Sequence, residues 1–275
     1  MRLGLGISIP GTTGLVAAAF SPLDLSPVLW LDAADTSTIT ESGGSVSQWD
    51  NKGSLGDFTQ GTAALQPTTG ATTQNGMNVV DFAADYLNSA DAASAYNDLH
   101  NGEEYIVAAV VKFGTTANPN AFYPLLGNNA GTGNKVGIFL SYEDRTSIPA
   151  DDRIRALVTN AAGAANAPIN NSTADGFFPG NTMGILSSLQ DPDNATAADR
   201  SQVALNAGSL VGNNTNTGTV SASDAAHVLQ VGSVGDASGV LTGSIAELVI
   251  VTGANAIEAN RVKLRDYLNN KWSVY

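Results

Sequence analysis

Paired carboxylates would be the simplest chemistry this chain could carry, and its glutamates are few. They stand at positions 41, 103, 104, 143, 247 and 258. None belongs to a Glu-x-Asp-x-x-Glu pattern, which on a strand would set two carboxylates on one face at working distance for acid–base hydrolysis. His100 and His227 have no nucleophile in a recognisable spacing, and a triad demands closely set partners, so both read as structural or surface residues. With no cysteine, a thiolate nucleophile, a thiolate metal site and a disulfide scaffold are all excluded. No Gly-x-x-x-x-Gly-Lys-Ser/Thr or His-x-x-x-His pattern occurs. The chain is expected not to be an enzyme.

One oxygen-rich loop remains, Asp191-Pro192-Asp193-Asn194, with Asp191, Asp193 and Asn194 as candidate ligands for a hard cation such as calcium. Ala195 and Ala197 stand where an EF-hand loop needs oxygens, and no glutamate closes it. The preferred reading is a plain polar turn, built from ordinary turn formers, with no cofactor.

Charge narrows the partners. Twelve Lys and Arg face 25 Asp and Glu, a net charge of −13, so direct binding to nucleic acid, which needs clustered cations, is not expected. Residues 254–275 run against this trend, with Arg261, Lys263, Arg265 and Lys271 against Glu258 and Asp266. That asymmetry reads either as solubility or as a basic helix, with Arg261 and Arg265 available to an acidic neighbouring subunit. No run approaches the 18 or so apolar residues of a membrane helix. Residues 1–20 are not expected to act as a secretory leader, since Gly4, Gly6, Ser8, Pro10 and the Gly11-Thr12-Thr13-Gly14 run break their apolar stretch.

The elements that would position any site are almost all strands. Residues 104–113 form a long, β-branched apolar run, read as a central strand buried on both faces. Further strands are predicted at 78–82, 122–126, 136–142, 153–159, 182–189, 201–206, 227–232 and 243–251, separated by Gly- and Asn-rich turns. Two helices are predicted, a short one at 92–99 and a closing one at 255–272, where Ile257, Leu264, Leu268 and Trp272 share an apolar face. At the other end Leu3, Leu5, Ile7 and Ile9 alternate with Gly4, Gly6 and Ser8, the signature of a strand with one bare face. Such a strand docks either on its own domain or on a sheet edge of another chain.

The two ends carry a family likeness. Pro27-Val28-Leu29-Trp30-Leu31-Asp32-Ala33, then Val46-Ser47-Gln48-Trp49-Asp50-Asn51-Lys52 and Gln66-Pro67, and finally Tyr267-Leu268-Asn269-Asn270-Lys271-Trp272 resemble the concanavalin A-like (laminin-G-like) modules of bacteriophage virion and bacterial surface proteins. The likeness implies an all-β, two-sheet antiparallel sandwich (jelly roll) over residues 22–275, with the C-terminal helix 255–272 and an extended N-terminal arm over 1–21. Trp30 and Trp49 are expected in the core, and Asp32 and Asp50 in turn or cap hydrogen bonds. The function implied is a non-enzymatic virion structural protein, a head or tail decoration, spike or fibre component, anchored through its arm. Its partners would be other virion proteins and further copies of itself, and its place the virion surface after assembly in the host cytoplasm. The alternative is a carbohydrate-binding module or adhesin that recognises surface glycans.

Overall fold

The computed structural model describes residues 19–114, 121–129, 135–144, 153–159, 169–174, 176–213, 215–216 and 220–275. The arm positions Leu3, Leu5, Ile7 and Ile9 lie outside the described residues. The chain is all-β with antiparallel pairing and one α-helix among the described residues. In order, the first strands are β1 (Leu29–Asp32), β2 (Ile39–Ser42), β3 (Ser45–Trp49), β4 (Phe58–Thr59), β5 (Thr68–Gln74), β6 (Met77–Asp85), β7 (Leu87–Ser89), β8 (Tyr105–Phe113) and β9 (Ala121–Gly127). They continue as β10 (Gly137–Asp144), β11 (Arg153–Thr159), β12 (Ile169–Ser172), β13 (Gly184–Gln190), β14 (Ser201–Leu205), β15 (Val211–Gly212), β16 (Gln230–Val231) and β17 (Leu241–Thr252), and α1 (Glu258–Trp272) closes the chain.

The pairings form two runs. One is β15–β14–β13–β8–β17, with β6 and β1 sharing the far edge of β17 and β5 beyond β6. The other is β12–β11–β10–β9–β16–β7–β4–β3–β2. The expected pair of separate sheets is corrected to a single connected, barrel-like network of 17 strands among the described residues. A bridge between Ser45 and Thr68 joins the runs at one side. At the other, the Asn171 side chain donates from β12 to the carbonyls of Ser201 (2.9 Å) and Val211 (2.8 Å). Tying both margins leaves fewer unpaired backbone groups at the edges.

β8 behaves as its sequence predicts. Val107, Ala109, Val111 and Phe113 face the large core between the runs, while Ile106, Ala108 and Val110 face a second cluster beneath α1. Period-two alternation on a strand covered on both sides gives the continuous apolar run. β17 does the same with one exception. Its register shifts between Ile245 and Glu247, so Ala246 is an extra residue, and Ile245 and Leu248 both reach the large core. The bulge resets the alternation and puts Glu247 on the helix side.

Two hairpin turns fix register locally. Gly43-Gly44 and Asn75-Gly76 each join paired strands through two residues with positive φ (60° and 87°; 51° and 74°), the geometry that matches strand twist. Most predicted strands appear within a residue or two of their expected bounds. The strand expected at 227–232 shortens to β16, and the helix expected at 92–99 is the 3-10 segment Ala93–Leu99.

Candidate functional site

The second cluster, on the outer face of β8 and β17, is where the two end motifs meet. α1 lays Leu264, Leu268 and Trp272, spaced four residues apart, onto Ile106, Val110, Val249 and Val251. Ile257, expected on that face, precedes the helix and is exposed. At the other end of α1 the tip of the β5–β6 hairpin supplies side-chain donors: Gln74 bonds the Trp272 carbonyl (2.9 Å) and Asn75 that of Lys271 (2.8 Å). These are the carbonyls that a helix C-terminus leaves without intrahelical partners.

Beneath that end lies Glu247, with 0% exposure. The indole N–H groups of Trp30 (2.7 Å) and Trp272 (2.6 Å) and the Lys271 ammonium (2.8 Å) all donate to its carboxylate. Lys271 also donates to Asp32 (2.6 Å), and Lys52 links Asp32 (3.4 Å) to Asp35 (2.9 Å). Burial, and then the Asp32 charge, push the Glu247 carboxyl above its ordinary range, against the pull of Lys271 and Trp272. A perturbed carboxylate beside a second one is what a catalytic acid looks like on paper. Here both indoles and a lysine close over it, so no substrate reaches the group. The network is a lock between strands and helix, and it gives Asp32 a role in an ion-pair network beyond the expected turn hydrogen bonding.

The accessible feature is the groove just outside this lock. It has a volume of about 470 Å³ and is lined by Ala19, Phe20, Lys263, Asp266, Tyr267, Asn270 and Lys271. That volume is in the range of small-ligand pockets. Phe20 and Tyr267 meet edge to face with centroids 6.2 Å apart. Tyr267 is held from behind, since its hydroxyl lies against Glu247; burial, and then the charges of Glu247 and Asp32, push that hydroxyl well above its usual range. Lys271 sits 5.8 Å from the Tyr267 ring centre. The Asn270 amide is exposed and makes no hydrogen bond among the described residues. An anchored aromatic wall edged by an amide, a carboxylate and an ammonium can stack on an apolar ring face while exchanging hydrogen bonds with hydroxyls.

Other positions singled out in the sequence lie elsewhere. Arg261, expected at an accessible face, is 2% exposed and clasped by Glu258 (2.6 and 2.7 Å) and the Ser187 hydroxyl (2.7 Å). Burial of the first helical turns against β13 takes it out of reach of a partner. Arg265 is paired with Asp266 (2.6 Å). The basic helix therefore presents little free positive charge, with Lys263 alone of its four cations in no ion pair among the described residues.

Asp191 accepts from the Asn194 amide (2.5 Å), and Arg200 caps the Asn194 carbonyl (2.7 Å). Burial, and then the neighbouring Asp193 charge, push Asp191 above its ordinary range, a pull that Asn194 opposes. Among the described residues no group of three or more His, Cys, Asp or Glu side chains is placed to hold a metal ion. His100 is buried, with Nε2 2.8 Å from the Ser223 carbonyl, and burial holds its pKa below the ordinary value. No described helix is long and apolar enough to cross a membrane.

No family model matches the chain, and no curated protein sequence matches it. Solved structures do. Domain 4 of AbnA, an extracellular GH43 arabinanase from Geobacillus stearothermophilus, solved in complex with arabinotriose, aligns with a TM-score of 0.51 at 13% identity, over 87% of this chain and 98% of that one. What they share is the fold. A Trypanosoma rangeli sialidase bound to the inhibitor DANA gives 0.49 at 14% identity over 87% of this chain and 32% of its own. Botulinum neurotoxin type C, whose cell entry depends on interaction with two ganglioside molecules, gives 0.47 at 11% over 90% and 53%. The chain thus spans about a third of the sialidase and about half of the neurotoxin chain.

Proposed function

We propose that this chain is a lectin-like carbohydrate-binding module of the concanavalin A-like type, acting without catalysis, with the groove beside α1 as its glycan site. The observation that carries the reading is the groove itself: an aromatic wall of Phe20 and Tyr267, an uncommitted Asn270 amide, and Lys263 and Asp266 exposed within one open cleft. The likeness to a whole arabinanase domain, solved with a trisaccharide bound, supports it at the level of fold. Setting the module on a virion or bacterial surface, among further copies and other virion proteins, rests on the end-motif resemblance alone.

The test is calorimetric titration with a panel of oligosaccharides that includes arabinotriose. Wild type is expected to bind at least one at a Kd between about 1 µM and 1 mM, that is about 4–8 kcal/mol. Asn270→Ala, an exposed change, should weaken that binding about tenfold by removing hydrogen bonds to sugar hydroxyls. Binding that is indifferent to Asn270→Ala and Tyr267→Ala would move the site elsewhere.

A further inference from the structure

We infer that the groove beside α1 selects uncharged oligosaccharides and rejects anionic ones, an inference that rests on the glycan-binding reading of that groove. Of the three cations around it, Lys271 and Arg265 are already spent on carboxylates. Lys271 gives hydrogen bonds to Asp32 (2.6 Å) and Glu247 (2.8 Å), so an incoming carboxylate meets an ammonium backed by two negative charges. Arg265 is turned onto Asp266, with Nη2 at 2.6 Å and Nε at 2.9 Å. Lys263 donates to Asn260 (3.1 Å), and Asp266 stands three residues further along the same helix face, in the same groove.

Recognition of a sugar acid calls for a fork of donors, of the kind an arginine offers a carboxylate in two parallel bonds. Among the described residues, the groove lining contains no arginine. Of its two lysines only Lys263 is unpaired with a carboxylate, and it stands as a point charge beside Asp266, an acceptor carboxylate that repels a second carboxylate at the same range. The net charge of −13 adds an unfavourable field for any anion approaching from solution. A neutral sugar meets no such cost. Its hydroxyls both donate and accept, so they pair with Asp266 as acceptor, Lys263 as donor and Asn270 as either, while an apolar ring face lies on Tyr267.

The experiment titrates the full chain with matched pairs: lactose against sialyllactose, and trigalactose against trigalacturonate, with arabinotriose as a further neutral probe. The expected result is binding of at least one neutral sugar, nearly unchanged between about 50 and 500 mM salt, since no ion pair is there to be screened. Each anionic counterpart should bind at least about tenfold more weakly, a gap that narrows as salt rises. Asp266→Asn removes the exposed repelling charge and releases Arg265, and should shrink the neutral-to-anionic gap several-fold.

Tighter, salt-sensitive binding of the anionic members would overturn the selectivity while leaving the glycan-binding reading in place. An unchanged gap in Asp266→Asn would overturn the groove as its source. No binding of any sugar, neutral or anionic, would sink the glycan-binding reading itself.

Discussion

Trp30 and Trp49 come from neighbouring motifs at the same end of the sequence, and they end up in opposite kinds of interior. Trp49 points between the two runs of strands, 0% exposed, and its indole N–H has no partner among the described residues. Trp30 lies under α1 at 5% exposure, and its N–H is bonded to a buried carboxylate. The first side of the sheet is held by shape and apolar area. The second also contains a chain of charges, Lys52, Asp32, Lys271 and Glu247, that only works if every member is present. The groove proposed for glycans borders this second side, because Tyr267 and Lys271 belong to both.

The comparison is easiest to break at Glu247. Removing it by Glu247→Ala leaves two indole donors and Lys271 facing a dry cavity, and the expected loss is about 3–5 kcal/mol in urea unfolding, as for a buried charge pair stripped of one partner. A loss below about 1 kcal/mol would mean that water reaches the network and that it is no lock. The double variant Glu247→Leu with Lys271→Met should recover part of that loss, since a buried pair exchanged whole for apolar groups is often tolerated.

A smaller effect sharpens the contrast between the two tryptophan environments. Trp272→Phe forfeits a hydrogen bond to a charged acceptor and should cost about 1.5–3 kcal/mol beyond the lost ring area. Trp49→Phe gives up no hydrogen bond among the described residues and relieves a buried donor, so its net cost should be the lower of the two. Equal losses for both, measured side by side in chemical denaturation, would mean that the two sides of the sheet are held in the same way.

Much of the strand pattern was legible because burial writes itself as periodicity. Residues 104–113 announced a strand covered on both faces, and Leu264, Leu268 and Trp272 a helix face. Less legible was anything set by a partner far along the chain. Arg261 reads as an exposed cation on the helical wheel, and only the approach of Ser187 on β13 shows why it is buried. Glu247 did leave a signal: a lone carboxylate inside the apolar stretch Ile245-Ala246-Glu247-Leu248-Val249-Ile250-Val251 cannot be tolerated without donors. Which donors, and the bulge that aims it at them, are properties of the fold. Asn75-Gly76 was a readable turn, but its part in capping α1 depends on contacts about 200 residues away in sequence. The groove was not readable at all, since Phe20 and Tyr267 come from opposite ends of the chain.

A third test uses that cap. Asn75→Gly keeps the positive φ open to the backbone but removes the donor to the Lys271 carbonyl, and should cost about 0.5–1.5 kcal/mol, read as lower stability and faster amide exchange in the last turn of α1. No change in exchange there would show that the hairpin tip only touches the helix.

The smallest expected effect is a pH dependence that belongs to the charged side alone. The Ser37 hydroxyl, and then Lys52, hold the Asp35 carboxyl down to about 2, against an ordinary value of 3.8. Burial alone would lower the pKa of Lys52, but the hydrogen bond from its ammonium to Asp35 and the charges of Asp32 and Asp35 outweigh this and hold it above 10.5. For a depressed carboxylate the stabilisation is fully present above 3.8 and disappears as pH falls through about 2, because below that value folded and unfolded chains carry the same proton. For a raised lysine it is fully present below 10.5 and is lost as pH climbs through the higher folded value. The Asp35 side chain is 36% exposed, so screening limits the pair to a few tenths of a kcal/mol, up to about 1. Asp35→Asn should therefore flatten the acid limb of stability against pH between about 4 and 2 by that amount, and leave the neutral range lower by the same amount. An acid limb identical in wild type and Asp35→Asn would place the pH response elsewhere in the network, with Glu247 the next carboxylate to replace.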